Sequence, residues 1–288
     1  MILKFFNTFL IICVVLTISI SQKAVDNNIE KKVFFDINDA LKDPEKVIRL
    51  DLSNQSVFIP NDVWPKFKNL EFLSFKNNHL KEIPNEIGSL NNLKMLDLSG
   101  NDFTVLPKSI TSLSNLKELY LNDETNFLLD KNIDIISALP KLEFLSMRND
   151  HFKKIPTSIG QLKNLKTLDL SGNDFKILPK SLSGLLNLEE LYLNDQTNLK
   201  LSKNIEVISL LPKLRVLHLE NDKLSKLPKN ISKLAHLESL YLNDNNFREV
   251  PLEIKGINQL KYLDLKNNKI KLDEQDKSIS NFGYQINF

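Results

Sequence analysis

Four histidines (His79, His151, His218 and His236) and one cysteine, Cys13, are the side chains of this 288-residue chain best suited to acid–base, nucleophilic or metal chemistry. His79 and His151 are 72 residues apart and occupy equivalent places in two near-copies of one block. If each unit of that block adds one strand, their backbones stand about 14 Å apart, too far to share a metal ion. His218 has Glu190 before it and Ser239 after it, one unit away on either side. A serine–histidine–acid relay also needs a nucleophile elbow and an oxyanion element, and neither accompanies these residues. A binding histidine is the better reading. Ser171-Gly172-Asn173-Asp174 and its copy at Ser99 lack the spacing of a phosphate-cradling loop. The pairs Asn122-Asp123, Asn194-Asp195 and Asn243-Asp244 offer oxygen ligands for calcium, but backbone bonding at a turn explains them with less. Asn54-Gln55-Ser56 and Asn230-Ile231-Ser232 fit the glycosylation sequon. No catalytic residue, cofactor or metal site is expected.

Composition narrows the classes further. Lys plus Arg number 38 against 36 Asp plus Glu, for a net charge of +2. That balance excludes a strongly basic nucleic-acid binder and an acidic disordered tail. One cysteine excludes a disulfide framework and a cysteine-based zinc site. Residues 1–21 read as a secretory signal peptide: a short basic start, an apolar run over Phe5–Ile20, then Ser19 and Ser21 at the positions a signal peptidase reads. An uncleaved anchor is the first rival, yet its 16-residue run falls short of the ~20 residues a spanning helix needs. Lipidation at Cys13 is the second, and bulky Ile12 argues against it. The expected product is exported (secreted, periplasmic or at the cell surface), free of cysteine and without a membrane span.

What must position any functional side chain is a repeat. Leu70, Leu93, Leu116, Leu142, Leu165, Leu188, Leu214, Leu237 and Leu260 recur at intervals of 23 or 26 residues, with Val47 one unit earlier. Counting each of these as position 1, ten units cover 47–272. Residues 70–141 and 142–213 match at 48 of 72 positions, a tandem duplication of three units. Within a unit, L-x-L alternation places both leucines inward, as in a strand. An inward Asn follows at Asn78, Asn101, Asn173, Asn245 and Asn268, suited to bond the backbone where the chain leaves the sheet. Pro at Pro60, Pro84, Pro107, Pro156, Pro179, Pro228 and Pro251 ends the strand pattern, and Ile or Leu returns the chain to the core. The fourth and seventh units lack Leu-Pro and carry three extra residues, predicting longer helical returns. Unit 1 has Gln55 in place of Asn.

These residues resemble the leucine-rich repeat proteins of the 23-residue L-P-x-x-I type, and FFDINDALKDPEKVIRLDLS is similar to the N-terminal caps of exported bacterial members. The resemblance implies an α/β fold: a right-handed horseshoe with a parallel sheet on its concave side. It also brings adhesion or host contact as a role. Residues 22–46 are expected to hold a polar segment and a short capping helix over Phe34–Lys42. In 273–288, the alternating Phe282, Tyr284, Ile286 and Phe288 read either as a capping strand or as a docking tail.

Positions 3, 5, 7 and 8 should face the concavity. They hold ten acids and four basic residues, leaving 34 basic residues and 26 acids elsewhere. An acidic inner wall disfavours nucleic acid and suits a basic protein segment, with a glycan as second choice. The candidate contacts are Phe72, Met95, Asp97, Glu118, Tyr120, Phe144, Asp169, Glu190, Tyr192, His218, Tyr241, Tyr262 and Asp264. Exposed aromatics supply contact area at low entropy cost. Sheet propensity alone is the competing explanation for them. An envelope component anchored by its leader or tail is the rival role.

Overall fold

Each unit contributes one three-residue strand, positions 3–5, centred on the inward leucine of position 4. The computed structural model describes residues 32–56, 60–271 and 283–288. The expected signal peptide over residues 1–21, with Cys13, and Phe282 of the C-terminal segment lie outside the described residues. Ten strands come from the units: β2 (Arg49–Asp51), β3 (Phe72–Ser74), β4 (Met95–Asp97), β5 (Glu118–Tyr120), β6 (Phe144–Ser146), β7 (Thr167–Asp169), β8 (Glu190–Tyr192), β9 (Val216–His218), β10 (Ser239–Tyr241) and β11 (Tyr262–Asp264). They are flanked by β1 (Val33–Phe34) and β12 (Gln285–Asn287). All twelve form one parallel sheet in chain order. This is the right-handed solenoid with a concave parallel sheet that the repeat implies.

The core is a stack of equivalent side chains. The central strand leucines from Leu50 to Leu263, and the Ile or Leu of each return, are essentially solvent-free. No single unit can bury them; neighbours do. After most strands the chain passes a proline with φ between −58° and −73° and enters a short 3-10 turn, such as Asn85–Ser89 or Lys180–Gly184. The proline's fixed φ suits the residue before that turn. Units 4 and 7 lack it and return through α-helices, α2 (Leu129–Ser137) and α3 (Leu201–Ile208), as their extra residues predict. Among the described residues no helix is long and apolar enough to cross a membrane.

The expected inward amides are present. Asn101 Nδ2 donates to the carbonyls of Phe75 and Leu98, and its Oδ1 accepts the N–H groups of Asn78 and Leu80. Asn173 and Asn245 repeat this pattern. Five units substitute another residue: the exposed Gln55 in unit 1, and Glu124, Asp150, Gln196 and Asp222, which are all buried. Gln196 still donates, to the Leu170 carbonyl at 2.7 Å. In each acid one oxygen accepts a backbone N–H, from Asn101, Glu124 and Gln196 respectively. The second oxygen has no partner. Burial holds Glu124 up at about 9, and Asp150 and Asp222 at about 8, against the lowering effect of the N–H each accepts.

At the N-terminal edge the expected helix over Phe34–Lys42 is shorter than its pattern. Val33–Phe34 instead pairs with Arg49–Leu50, because an extended segment there satisfies the open edge of β2. The helix proper, α1 (Ile37–Ala40), starts at Asp36, whose side chain accepts the Asp39 N–H at 2.9 Å. At the other edge β12 pairs with β11, and Tyr284 and Ile286 pack against the core.

Candidate binding surface

The strand register lines the concave side with two rows. Position 3 aligns Arg49, Phe72, Met95, Glu118, Phe144, Thr167, Glu190, Val216, Ser239 and Tyr262. Position 5 aligns Asp51, Ser74, Asp97, Tyr120, Ser146, Asp169, Tyr192, His218, Tyr241 and Asp264 by the same pairing. Every candidate contact therefore shares one wall.

Within the wall the aromatics touch. Over β8–β11, His218 is sandwiched between the rings of Tyr192 (3.8 Å, 12°) and Tyr241 (4.3 Å, 6°), and Tyr241 leans on Tyr262 at 5.4 Å. A second group sits over β5–β6, where Tyr120 and Phe144 lie 4.9 Å apart. At the N-terminal end Arg49 covers the ring of Phe72 at 4.3 Å.

Carboxylates thread between these rings. His218 Nε2 lies 3.1 Å from Glu190 Oε1, and Nδ1 lies 3.1 Å from Glu220 Oε1. Burial alone would depress the imidazole, but the two carboxylates outweigh it and raise its pKa. Both ring nitrogens are engaged, so neither is left for Ser239, and the relay geometry does not form. Burial also works against the ionised form of Glu190; the His218 hydrogen bond and charge overcome it and pull the carboxyl down. Glu118 occupies the same place in the first copy of the duplicated block, where Ser146 stands instead of His218. There burial prevails and the carboxyl is raised, despite a hydrogen bond from Tyr120. Desolvation, with the adjacent glutamate, drives the Tyr120 and Tyr192 phenols up. Both stay neutral donors.

Three candidates need correction. Asp169, His218 and Asp264 lie on the wall but are 7%, 6% and 7% exposed, covered by their neighbours. Asp169 accepts the Ser171 N–H and faces Arg148 at 3.6 Å. Asp264 accepts from the Lys266 N–H, the Tyr262 hydroxyl and Asn287 of β12. They hold the wall together; they do not present themselves to a ligand. Phe72, Met95, Asp97, Glu118, Tyr120, Phe144, Glu190, Tyr192, Tyr241 and Tyr262 remain partly open.

Two features escaped the sequence reading. Glu220 is a clamp on His218, detectable as an i, i+2 neighbour on one strand face. Position 8 has φ between 54° and 70° in all ten units, occupied by Asn, Asp or Gly. Asp123, Asp195 and Asp244, counted among the wall's acids, are thus residue types that tolerate this left-handed turn. Each accepts a hydrogen bond from the asparagine one unit on: Asn149, Asn221 and Asn267. Among the described residues no cluster of three or more His, Cys, Asp or Glu is placed to hold a metal ion.

Known proteins were compared with this framework. A leucine-rich repeat region matches over residues 47–134 and 125–212, and a leucine rich repeat over 212–270. No curated protein matches the sequence. Among solved structures, an internalin from Listeria monocytogenes is similar with a TM-score of 0.51 and 18% identity, over 84% of this chain and 74% of that one. The Toll–Spätzle complex of Drosophila gives 0.55 and 18%, over 84% and 39%. The ectodomain of the Arabidopsis thaliana receptor kinase GASSHO1/SCHENGEN3, solved with Casparian strip integrity factor 2, gives 0.50 and 30%, over 77% and 26%. The chain thus spans most of the internalin but well under half of the two receptors. Ten in-register units, a parallel concave sheet, an inward amide ladder and matches over more than half the sequence place the chain in the leucine-rich repeat family.

Proposed function

We propose that the protein is an exported, non-enzymatic binding module whose concave wall holds a cationic protein segment, with adhesion or contact at a cell surface as its setting. The observation that carries this is the wall itself: half-buried aromatics over β5–β6 and β8–β11, interleaved with Asp97, Glu118 and Glu190. Aromatic faces and desolvated carboxylates together recognise Lys and Arg by cation–π contact and charge-assisted hydrogen bonds. Glu118 suits this best, because its carboxyl is desolvated and, among the described residues, hydrogen-bonded only by the Tyr120 hydroxyl, with Lys117 and Arg49 acting on it through charge alone, whereas His218 bonds and neutralises the equivalent Glu190. The Arabidopsis receptor and Toll were solved with protein ligands, which supports a protein partner. Export rests on the leader pattern of residues 1–21.

The test is an array of peptides of equal length and graded charge, probed with the purified chain and with an Asp97→Lys, Glu118→Lys variant. Selection of Lys/Arg-rich peptides by the native chain, lost or inverted in the variant, is expected. Equal capture across charges, or capture that the variant leaves unchanged, would show that the concave wall is the wrong surface.

A further inference from the structure

Outside the concave wall, one edge of the solenoid departs from the chain's overall charge balance. In units 6, 7, 9 and 10 the segment that follows the inward amide, beginning at position 10, stacks on the same segment of the preceding unit. The backbone bonds Asp174 N–H to Phe152 O, Lys200 N–H to Lys176 O, Asn246 N–H to Leu224 O and Lys269 N–H to Phe247 O make that stacking explicit. In units 5–10 positions 10–13 hold nine Lys or Arg against two acids, Asp174 and Glu249. Lys154, Lys176, Lys200, Lys226, Arg248 and Lys269 supply one exposed cation per unit over six consecutive units. None of the six has an ion-pair partner among the described residues.

The duplicated block supplies an internal control. Where the first copy has Glu82, Thr104 and Leu128, the second has Lys154, Lys176 and Lys200. These three replacements raise the charge of one edge by four, while the apolar residues beside them change only for other apolar residues, Leu80 to Phe152 and Phe127 to Leu199. Leu128 is 43% exposed, so no packing demand dictates the residue type there. Lys153, Lys154 and Lys176 also line one open groove of about 720 Å³, floored by Ile177, Leu178 and Pro179, with Asp174 the single carboxylate in its wall.

We infer that this edge is a second binding surface, for a linear acidic polysaccharide laid along the stack of units 5–10. Each unit, rising about 4.8 Å per strand, supplies one of these cations, at position 12 or 13 in units 5–9 and at position 10 in unit 10, so a linear chain bearing one anionic group per sugar can follow the edge. Single-stranded nucleic acid fits less well, because such sites add aromatic platforms for the bases. The aromatics of this edge, Phe152, Phe175 and Phe247, are buried in the core. A bilayer fits less well too: the cations form a line, and the exposed apolar side chain beside them is Ile177 alone in units 5 and 6.

The test measures affinity of the purified chain for size-defined heparin and polygalacturonate at physiological salt, with charge-matched single-stranded DNA and anionic vesicles alongside. A Lys154→Glu, Lys176→Glu, Lys200→Glu variant should lose at least tenfold in Kd and show a shallower salt dependence. A Lys94→Glu, Lys166→Glu, Lys261→Glu variant has the same net charge but alters lysines that pair with Glu71, Glu143 and Glu238. It should bind within about twofold of the native chain. Circular dichroism confirms that both variants fold. Absence of polysaccharide binding, equal losses in the two variants, or tighter binding to DNA or vesicles would each overturn the assignment. A failure of the concave-wall test leaves this one unaffected, since the two surfaces share no residue.

Discussion

His218 shows how much one residue can organise. It stacks on two tyrosines and bridges two carboxylates that would otherwise repel each other across β8 and β9. Its pKa is raised in the folded state, so its contribution to stability is complete below the unfolded histidine value and fades as pH rises through the folded one. His218→Gln leaves Glu190 and Glu220 without their cation. At pH 6 this should cost about 3–5 kcal/mol, the range for a buried pair that loses one partner. Glu190 should then titrate upward, toward the behaviour of Glu118; carboxyl NMR titration checks this, and a Glu190 unmoved by the substitution would refute the clamp. Backbone geometry makes a second residue-scale demand. Gly100 has φ +70°, and a Cβ there would lie 2.0 Å from Asn77 Oδ1. Gly100→Ala is expected to cost more than the ~1–2 kcal/mol of a left-handed alanine alone. Asn77→Gly in the same chain should remove that excess and leave the strain, as a thermal-melt double-mutant cycle would show. The sequence reading located these residues on the wall. It did not separate those that face a ligand from those that brace the wall, because burial of Asp169 and Asp264 depends on neighbours one unit away.

At the scale of the repeat element, the amide ladder and its acidic replacements share one geometry. Unit 2 has Asn78 where its copy has Asp150, and unit 4 has Glu124 where its copy has Gln196. An acid can do the amide's work only if its second oxygen carries a proton to donate, and that oxygen is the unpartnered one in Glu124, Asp150 and Asp222. The folded values of about 9, 8 and 8 lie above the unfolded carboxylate value near 4. The folded state therefore holds protons that the unfolded state releases. Stability is complete below the unfolded value and declines as pH rises toward the folded ones, by up to about 1.4 kcal/mol per pH unit per group. Urea midpoints should fall from pH 5 to pH 8, and a Glu124→Gln, Asp150→Asn, Asp222→Asn variant should flatten that slope and gain stability at pH 8. A variant with the native slope would mean that these carboxyls do not carry the protons. The 23-residue period made the strands, ladder, proline turns and both longer returns legible in advance. The Asn-Asp pairs read as turn residues, but the positive φ that position 8 demands of Asn, Asp and Gly does not show in the sequence, because no hydrophobic pattern reveals it.

For the whole molecule, the solenoid couples neighbours and little else: each strand pairs only with the one before and the one after. Stability is then close to a sum of unit terms and interface terms, and the ends decide how far fraying runs inward. At the C-terminal end the last interface is β11 against β12, where Ile286 lies opposite Leu263 and packs on the core. Asn287 also ties this strand to the inner wall through Tyr262 and Asp264. The sequence reading left a capping strand and a docking tail both open for this segment, and the two make different demands on Ile286. A docking tail tolerates a polar residue there; a cap does not, since the change strips cover from Leu263 and Leu265, which are now solvent-free. Ile286→Asp should therefore speed amide hydrogen exchange in β11 and β10 by tenfold or more and leave β3–β6 at native rates. Loss of Tyr262 and Tyr241 packing would follow, weakening capture of cationic peptides on the concave wall while polysaccharide binding at Lys154, Lys176 and Lys200 persists. Unchanged exchange in β10 and β11 would mean that the terminal strand covers nothing that matters, and the docking-tail reading would take its place.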